Sequence, residues 1–244
     1  MRFLPPATAA VVGLAAILGA ASPEAGGPAV ARAAGAPLQV LATGDSMIQI
    51  VDTYLARRLE PGGGVDVRSD ARISTGISKP GLLNWPRHAA AQARRFRPRA
   101  TVVFLGANDG FDLRSDGRRV KCCGRTWSRE YARRARRMML SYAQGGTRRV
   151  YWLLLPQARE GFFRRAYPAV NRGLRRAAGG VEKVRLVHLN ELFTPGGRYR
   201  DFIRYEGRRV RARQADGVHL SPAGASIAAS IVTRQMRSDG ALSP

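Results

Sequence analysis

The sequence predicts an α/β fold, a parallel sheet of about five strands with helices on both faces. Strand-like segments at residues 38–42, 65–68, 101–105, 150–155 and 184–189 alternate with stretches of helical periodicity. That alternation is how parallel strands and crossover helices are read from sequence. The third and fourth runs are apolar throughout, as strands buried on both faces are. A length of 244 residues suits one medium domain with a sizeable core.

The N-terminus reads separately. Arg2 precedes an apolar run at 7–21, followed by a small-residue segment at 22–36 that offers Ala31-Arg32-Ala33 as a cleavage site. This predicts a secretory signal peptide with its cleavage region over residues 1–34. The run is shorter than the ~20 residues that span a bilayer, so an uncleaved anchor is the weaker alternative. With no cysteine nearby, a lipid anchor is not expected. The folded domain is placed at 37–237, a C-terminal tail at 238–244, and the mature protein outside the cytoplasm with no stable membrane span.

Within the domain, the first strand stops at Thr43-Gly44. Met47, Val51, Leu55 and Leu59 then recur every four residues, one stripe of a helix. Residues 61–64 (Pro-Gly-Gly-Gly) end it, the second strand follows, and 74–81 is a loop. A helix at 84–95 carries Pro86 in its first turn, where the missing N–H costs little. A long polar loop is expected at 111–125. A helix follows at 131–142, with Tyr131, Ala135, Met138, Met139 and Tyr142 on one stripe. After the fourth strand a helix covers 168–178. A hairpin at 202–211 turns at Glu206-Gly207, and Ser221-Pro222 starts a terminal helix.

The charge is extreme: 41 basic against 17 acidic residues, net +24. Only Lys79, Lys121 and Lys183 are lysines, so the basic set is almost all arginine. The arginines are scattered over helix faces and loops, aromatics are only 7%, and no nucleic-acid motif is present. These features argue against a nucleic-acid partner and point to anionic envelope polymer or to compositional bias. The only cysteines are Cys122 and Cys123. A vicinal disulfide, two free thiols and an intermolecular bridge all stay open. No metal-ligand spacing surrounds them.

Sites in such sheets gather beyond the carboxyl ends of the strands, which places 43–46, 74–78, 106–109 and 156–160 on one rim. Ser46 stands where a strand turns into a helix. Its hydroxyl is a candidate nucleophile and its N–H one of a helix N-terminus's unpaired donors. Such a serine needs a base, an orienter and oxyanion donors. His88 lies within a helix pattern and His188 ends a strand, both read as structural. His219 follows Asp216 by three residues, and the Gly217 turn lets that carboxylate reach one imidazole nitrogen while the other faces the serine. Asn108 supplies a side-chain amide just past the third strand, and Gly76 an unobstructed N–H. Arg159 is read as a solvated loop arginine or a contact for an anionic substrate.

The four segments Gly44-Asp45-Ser46-Met47, Gly76, Gly106-Ala107-Asn108-Asp109 and Asp216-Gly217-Val218-His219 resemble, in order and separation, the blocks of the SGNH/GDSL hydrolase superfamily. The phrase at 74–80, with Asn84-Trp85-Pro86 after it, resembles an exported bacterial branch of undefined substrate. The resemblance implies a flavodoxin-like three-layer αβα fold. It implies Ser46 as nucleophile, His219 as base and Asp216 as orienter, with the N–H groups of Ser46 and Gly76 and the Asn108 side chain as oxyanion hole. Such chemistry requires no cofactor and no metal. The expected function is an exported serine esterase, with an acylated envelope glycan such as peptidoglycan as substrate. An O-acyltransferase on the same residues, or a cationic envelope-binding protein with a vestigial site, are the rivals.

Overall fold

The structure is a computed structural model and describes residues 36–242; the signal-peptide reading of 1–34 lies outside them. In chain order the elements begin with β1 (Leu38–Gly44), α1 (Ile48–Leu59), β2 (Val65–Ala71), α2 (Trp85–Phe96) and β3 (Ala100–Phe104). Then come β4 (Leu113–Ser115), β5 (Arg118–Val120), α3 (Arg125–Ala143), β6 (Arg149–Leu153) and α4 (Gly161–Ala178). The chain closes with β7 (Val184–Val187), α5 (Leu189–Phe193), β8 (Phe202–Tyr205), β9 (Arg208–Arg211) and α6 (Pro222–Ser238).

Five strands form one parallel sheet in the order β2-β1-β3-β6-β7. The expected fold class is therefore the observed one. β3 and most of β6 are buried, as their uninterrupted apolar sequences require. Helix α1 packs on α6, while α3 packs on both α2 and α4, which makes the two outer layers. The chain steps from β1 to β2 in one direction and then returns past β1 to β3, so its direction reverses between β1 and β3. Ligands of open α/β sheets bind outside the strand ends at such a reversal. Gly44 pairs with Phe104 in the register of these two strands, so the turns after both emerge side by side.

Several boundaries differ from expectation. Residues 111–125 are not a plain loop: β4 and β5 form a hairpin that turns at Asp116 and Gly117, both at positive φ. Its arginine-rich strands have no apolar run to betray them. Cys122 and Cys123 are joined to each other by a disulfide. Helix α3 starts at Arg125, not 131, and buries Trp127, whose ring N–H donates to the Phe111 carbonyl at 2.8 Å. Helix α4 starts at Gly161 and runs through Pro168, where a start was expected. A mid-helix proline strands the carbonyl four residues earlier. Here that carbonyl, on Arg164, accepts the Gln157 side-chain amide at 3.1 Å. The fifth strand stops at Val187, and α5 follows because Leu189 and Phe193, one turn apart, are both buried.

Candidate active site

The segment between β1 and α1 is held by a carboxylate. Asp45 is completely buried, and its Oδ1 accepts the Met47 N–H at 3.0 Å. Its Oδ2 accepts the N–H groups of Gly106 and Ala107, each at 2.8 Å. One side chain thus ties the turn after β1 to the turn after β3. Burial pushes the Asp45 carboxyl up to about 6, against the pull of these three donors. Ser46, next in sequence, is half-buried with its hydroxyl on the rim.

The histidine arrives from the far end of the chain. The segment between β9 and α6 is shaped by Asp216, whose Oδ1 accepts the N–H groups of Val218 at 2.8 Å and His219 at 3.0 Å. Its Oδ2 lies 2.6 Å from His219 Nδ1, and His219 Nε2 lies 2.7 Å from Ser46 Oγ. Ser46, His219 and Asp216 therefore form one hydrogen-bonded line across 173 residues of sequence. Burial opposes ionisation of Asp216, but the bonds from His219 and the two backbone N–H groups outweigh it and hold the carboxyl below its ordinary value. With Nδ1–H pointing at a carboxylate, the Nε2 lone pair is the one that faces the serine.

Asn108 and Gly76 lie on the same rim. The Asn108 amide donates to the Thr75 carbonyl at 3.1 Å, joining the turn after β3 to the loop after β2; an amide nitrogen carries two hydrogens, so one remains for the rim. Gly76 is buried, and a Cβ there would come 2.6 Å from Asp109 Oδ1. Asp109 cannot yield: it accepts Ser78 N–H at 2.6 Å, Ser78 Oγ–H at 2.7 Å and Ile77 N–H at 3.2 Å, and the Tyr131 hydroxyl at 2.7 Å. Burial raises the Asp109 carboxyl, and burial with the Asp109 charge raises the Tyr131 phenol well above its usual range. The glycine is needed for space beside a fixed carboxylate. Phe111 and Phe162, both exposed, lie with ring centres 5.6 Å apart beyond Gly110.

Arg159 is an exposed loop residue, as the solvated-loop reading expects, but its guanidinium does not stand free. Instead, it donates to the Ala215 carbonyl at 3.1 Å, to the Tyr199 hydroxyl at 3.1 Å and to Asp201 at 2.9 Å. Its backbone N–H meets the Gly217 carbonyl at 3.0 Å, and Gly217 lies so close to the Arg159 side chain that a Cβ would sit 2.6 Å from it. Arg159 is therefore a brace for the segment that carries Asp216 and His219. Arg213, fully buried beneath that segment, donates to the Gln157 carbonyl at 2.5 Å. The other histidines stand elsewhere: His88 packs edge-on against Trp85, 3.3 Å from the Asp70 carboxylate, and exposed His188 bonds Glu191. Among the described residues no group of three or more His, Cys, Asp or Glu is placed to hold a metal ion. No helix among them is long and apolar enough to cross a membrane.

Asp45, Asp109, Ser78 and Tyr131 escaped the sequence reading as site-building residues. Asp45 and Asp109 each follow a strand on the rim, and an acidic residue there next to a candidate site residue is the signal that was available.

Solved structures share this fold. A Streptococcus pneumonia protein described as a platelet activating factor matches with a TM-score of 0.52 and 14% identity over 84% of this chain and 86% of its own. The C-terminal catalytic domain of Streptococcus pneumoniae peptidoglycan O-acetyltransferase A matches with a TM-score of 0.50 and 14% identity over 83% and 94%. The salicylyl-acyltransferase SsfX3 from a tetracycline biosynthetic pathway matches with a TM-score of 0.51 and 13% identity over 85% and 57%. At these identities the likeness is one of fold, a parallel sheet between two layers of helices. No curated protein matches the sequence. Residues 39–235 match the family model described as a protein of unknown function, DUF459, and the chain belongs to that family.

Proposed function

We propose that this protein is a serine esterase acting through an acyl-enzyme, exported by a signal peptide at 1–34 and carried by a single domain at 37–237. The observation that carries the reading is the line from Ser46 Oγ through His219 to Asp216, with bonds of 2.7 and 2.6 Å. Ser46 Oγ attacks the ester carbonyl while His219 Nε2 takes its proton, and Asp216 holds the imidazole tautomer and balances its charge. The Ser46 and Gly76 N–H groups and the second Asn108 amide hydrogen receive the oxyanion. Collapse expels the alcohol, protonated by His219, and water repeats the sequence to release the acid.

The substrate we propose is a small acyl group, such as acetyl, on an envelope glycan. The signal-peptide pattern of the N-terminal sequence, the cationic charge and the fold shared with a peptidoglycan O-acetyltransferase support it. Two of the neighbours are named as acyltransferases, so transfer to a sugar hydroxyl is the second reading. The side chains of His219 and Asp216 are 30% and 44% exposed; water reaches the base, which favours hydrolysis. The test is release of nitrophenol from short-chain nitrophenyl esters by the protein beside its Ser46→Ala variant, with a fluorophosphonate probe as second readout. Turnover and labelling should both disappear with the hydroxyl. Labelling that persists in Ser46→Ala would place the nucleophile elsewhere, and faster turnover of long-chain than acetyl esters would sink the small-acyl assignment.

A further inference from the structure

We propose that the groove between α2 and α3 is a binding site for an extended polyanion, a polymer bearing phosphate or carboxylate groups and no bases. Two adjoining depressions of about 620 and 390 Å³ lie between these helices and share Ala90 and Ser141. Arg87, Arg94 and Arg97 line them from α2 and its C-cap, and Arg133, Arg134 and Arg137 from α3. Arg133 and Arg134 are engaged by Glu130, whose side chain is only 5% exposed, and Arg134 also donates to the Ile77 carbonyl. The other four are exposed, and their guanidinium groups have no partner among the described residues.

No carboxylate and no aromatic ring lines either depression. The first absence leaves the charges of Arg87, Arg94, Arg97 and Arg137 uncompensated where a ligand would lie. The second removes the stacking surface on which single-stranded nucleic acids depend. Where the two depressions adjoin, the wall is small, with Ala90, Ala93 and Ser141, while Leu140 and Gln144 stand to either side, so a backbone can approach closely at that junction. Arg87 and Arg94 stand two helical turns apart on α2, each turn rising about 5.4 Å, and Arg137 lines the groove from α3. A guanidinium takes phosphate or carboxylate through paired N–H donors, so an anionic group recurring along a chain meets successive forks. Neither depression is lined by Ser46, Asn108, Asp216 or His219, and occupancy of the groove does not rest on the esterase reading.

The test is fluorescence anisotropy of labelled long-chain inorganic polyphosphate and of labelled polygalacturonate, with oligothymidylate of matched charge as comparator. The paired substitution Arg87→Glu with Arg137→Glu is set against Arg176→Glu with Arg208→Glu, which removes the same charge from exposed positions outside the groove. Arg87→Gln with Arg137→Gln serves if the reversal disturbs folding, monitored by circular dichroism. The groove pair should weaken polyanion binding about tenfold or more and flatten its salt dependence by roughly 1.4, at ~0.7 per lost contact on a single strand. The outer pair should change affinity less than about threefold. The polymer bound more tightly identifies phosphate or carboxylate as the recognised anion. Equal weakening by both pairs would mean that the +24 charge acts diffusely, and oligothymidylate bound as tightly as the polyanions would make the groove a nucleic-acid site; either overturns the proposal.

Discussion

Asp45→Asn tests how the turn before Ser46 is held. The carboxylate accepts one N–H on Oδ1 and two on Oδ2. An asparagine has one oxygen, so whichever way it turns, its NH₂ faces a backbone donor. With the oxygen kept toward Gly106 and Ala107, the Met47 N–H loses its acceptor in a fully buried place, a cost of about 1–3 kcal/mol. A second effect opposes this one. Burial lifts the Asp45 carboxyl from its ordinary 3.8 to about 6, so above that pH the native state carries an ionised carboxylate at a penalty of about 3 kcal/mol. The native state binds more protons than the unfolded chain across this window, so the wild type loses stability as pH rises from about 4 to about 6. Asparagine has no such proton. Removing the charge also lets Asp109, which repels Asp45, ionise more easily, and that acts in the same direction. The wild type's advantage over Asp45→Asn should therefore be largest in acid and shrink by about 2 kcal/mol between pH 4.5 and 8. Urea unfolding of both proteins across that range, with unchanged m-values, measures it. An advantage that stays level or grows with pH would show that the three N–H donors outweigh burial, and the account of this carboxylate would be wrong.

Other substitutions probe the rim. Asn108→Ala should lower kcat on short esters by roughly 10²–10³, with a melting temperature showing whether loss of the Thr75 contact also loosens the loop. Gly76→Ala drives a methyl against the fixed Asp109 carboxylate and should destabilise by about 1–3 kcal/mol, read by chemical denaturation. Arg159→Ala releases the Ala215 and Asp201 contacts and should cut kcat up to about 100-fold by letting the His219 segment drift. KM should move little, because Arg159 is a brace; a KM effect on anionic esters alone would restore the substrate-contact reading.

The layered fold was legible because it is written locally. The central strands β1, β3 and β6 are short apolar runs whose burial follows from composition, while the edge strands β2 and β7 carry charged residues and were placed by the alternation with helices. Serine 46, Asn108 and His219 were legible as positions, since each follows an element end that the periodicity locates. What holds those positions was not. Asp45 reaches Gly106 across 61 residues, Asp109 reaches Ser78 across 31, and Arg159 reaches Ala215 across 56. Such pairings exist only once the strands are in register, and no window of sequence contains both partners. Tyr131 shows the same limit: its place on an apolar helical stripe was plain, but its hydroxyl bond to Asp109 was not. The β4–β5 hairpin was missed for the opposite reason, because arginine-rich strands on the surface need no apolar pattern.

The hidden pairings bear on why the proposed oxyanion donors are available. Asp45 takes the N–H groups of Met47, Gly106 and Ala107, and Asp109 takes those of Ile77 and Ser78. These donors lie in the three strand-end segments of the rim, beside Ser46 and Gly76 but never including them. With the peptides that follow anchored to buried carboxylates, the planes at residues 46 and 76 are held where their own N–H groups are not drawn inward. Two carboxylates are buried here at a cost in ionisation, and the return is geometric: the segments after β1, β2 and β3 are locked to one another, and under the proposed reading the N–H groups of residues 46 and 76, next to those anchors, are the ones that meet the oxyanion.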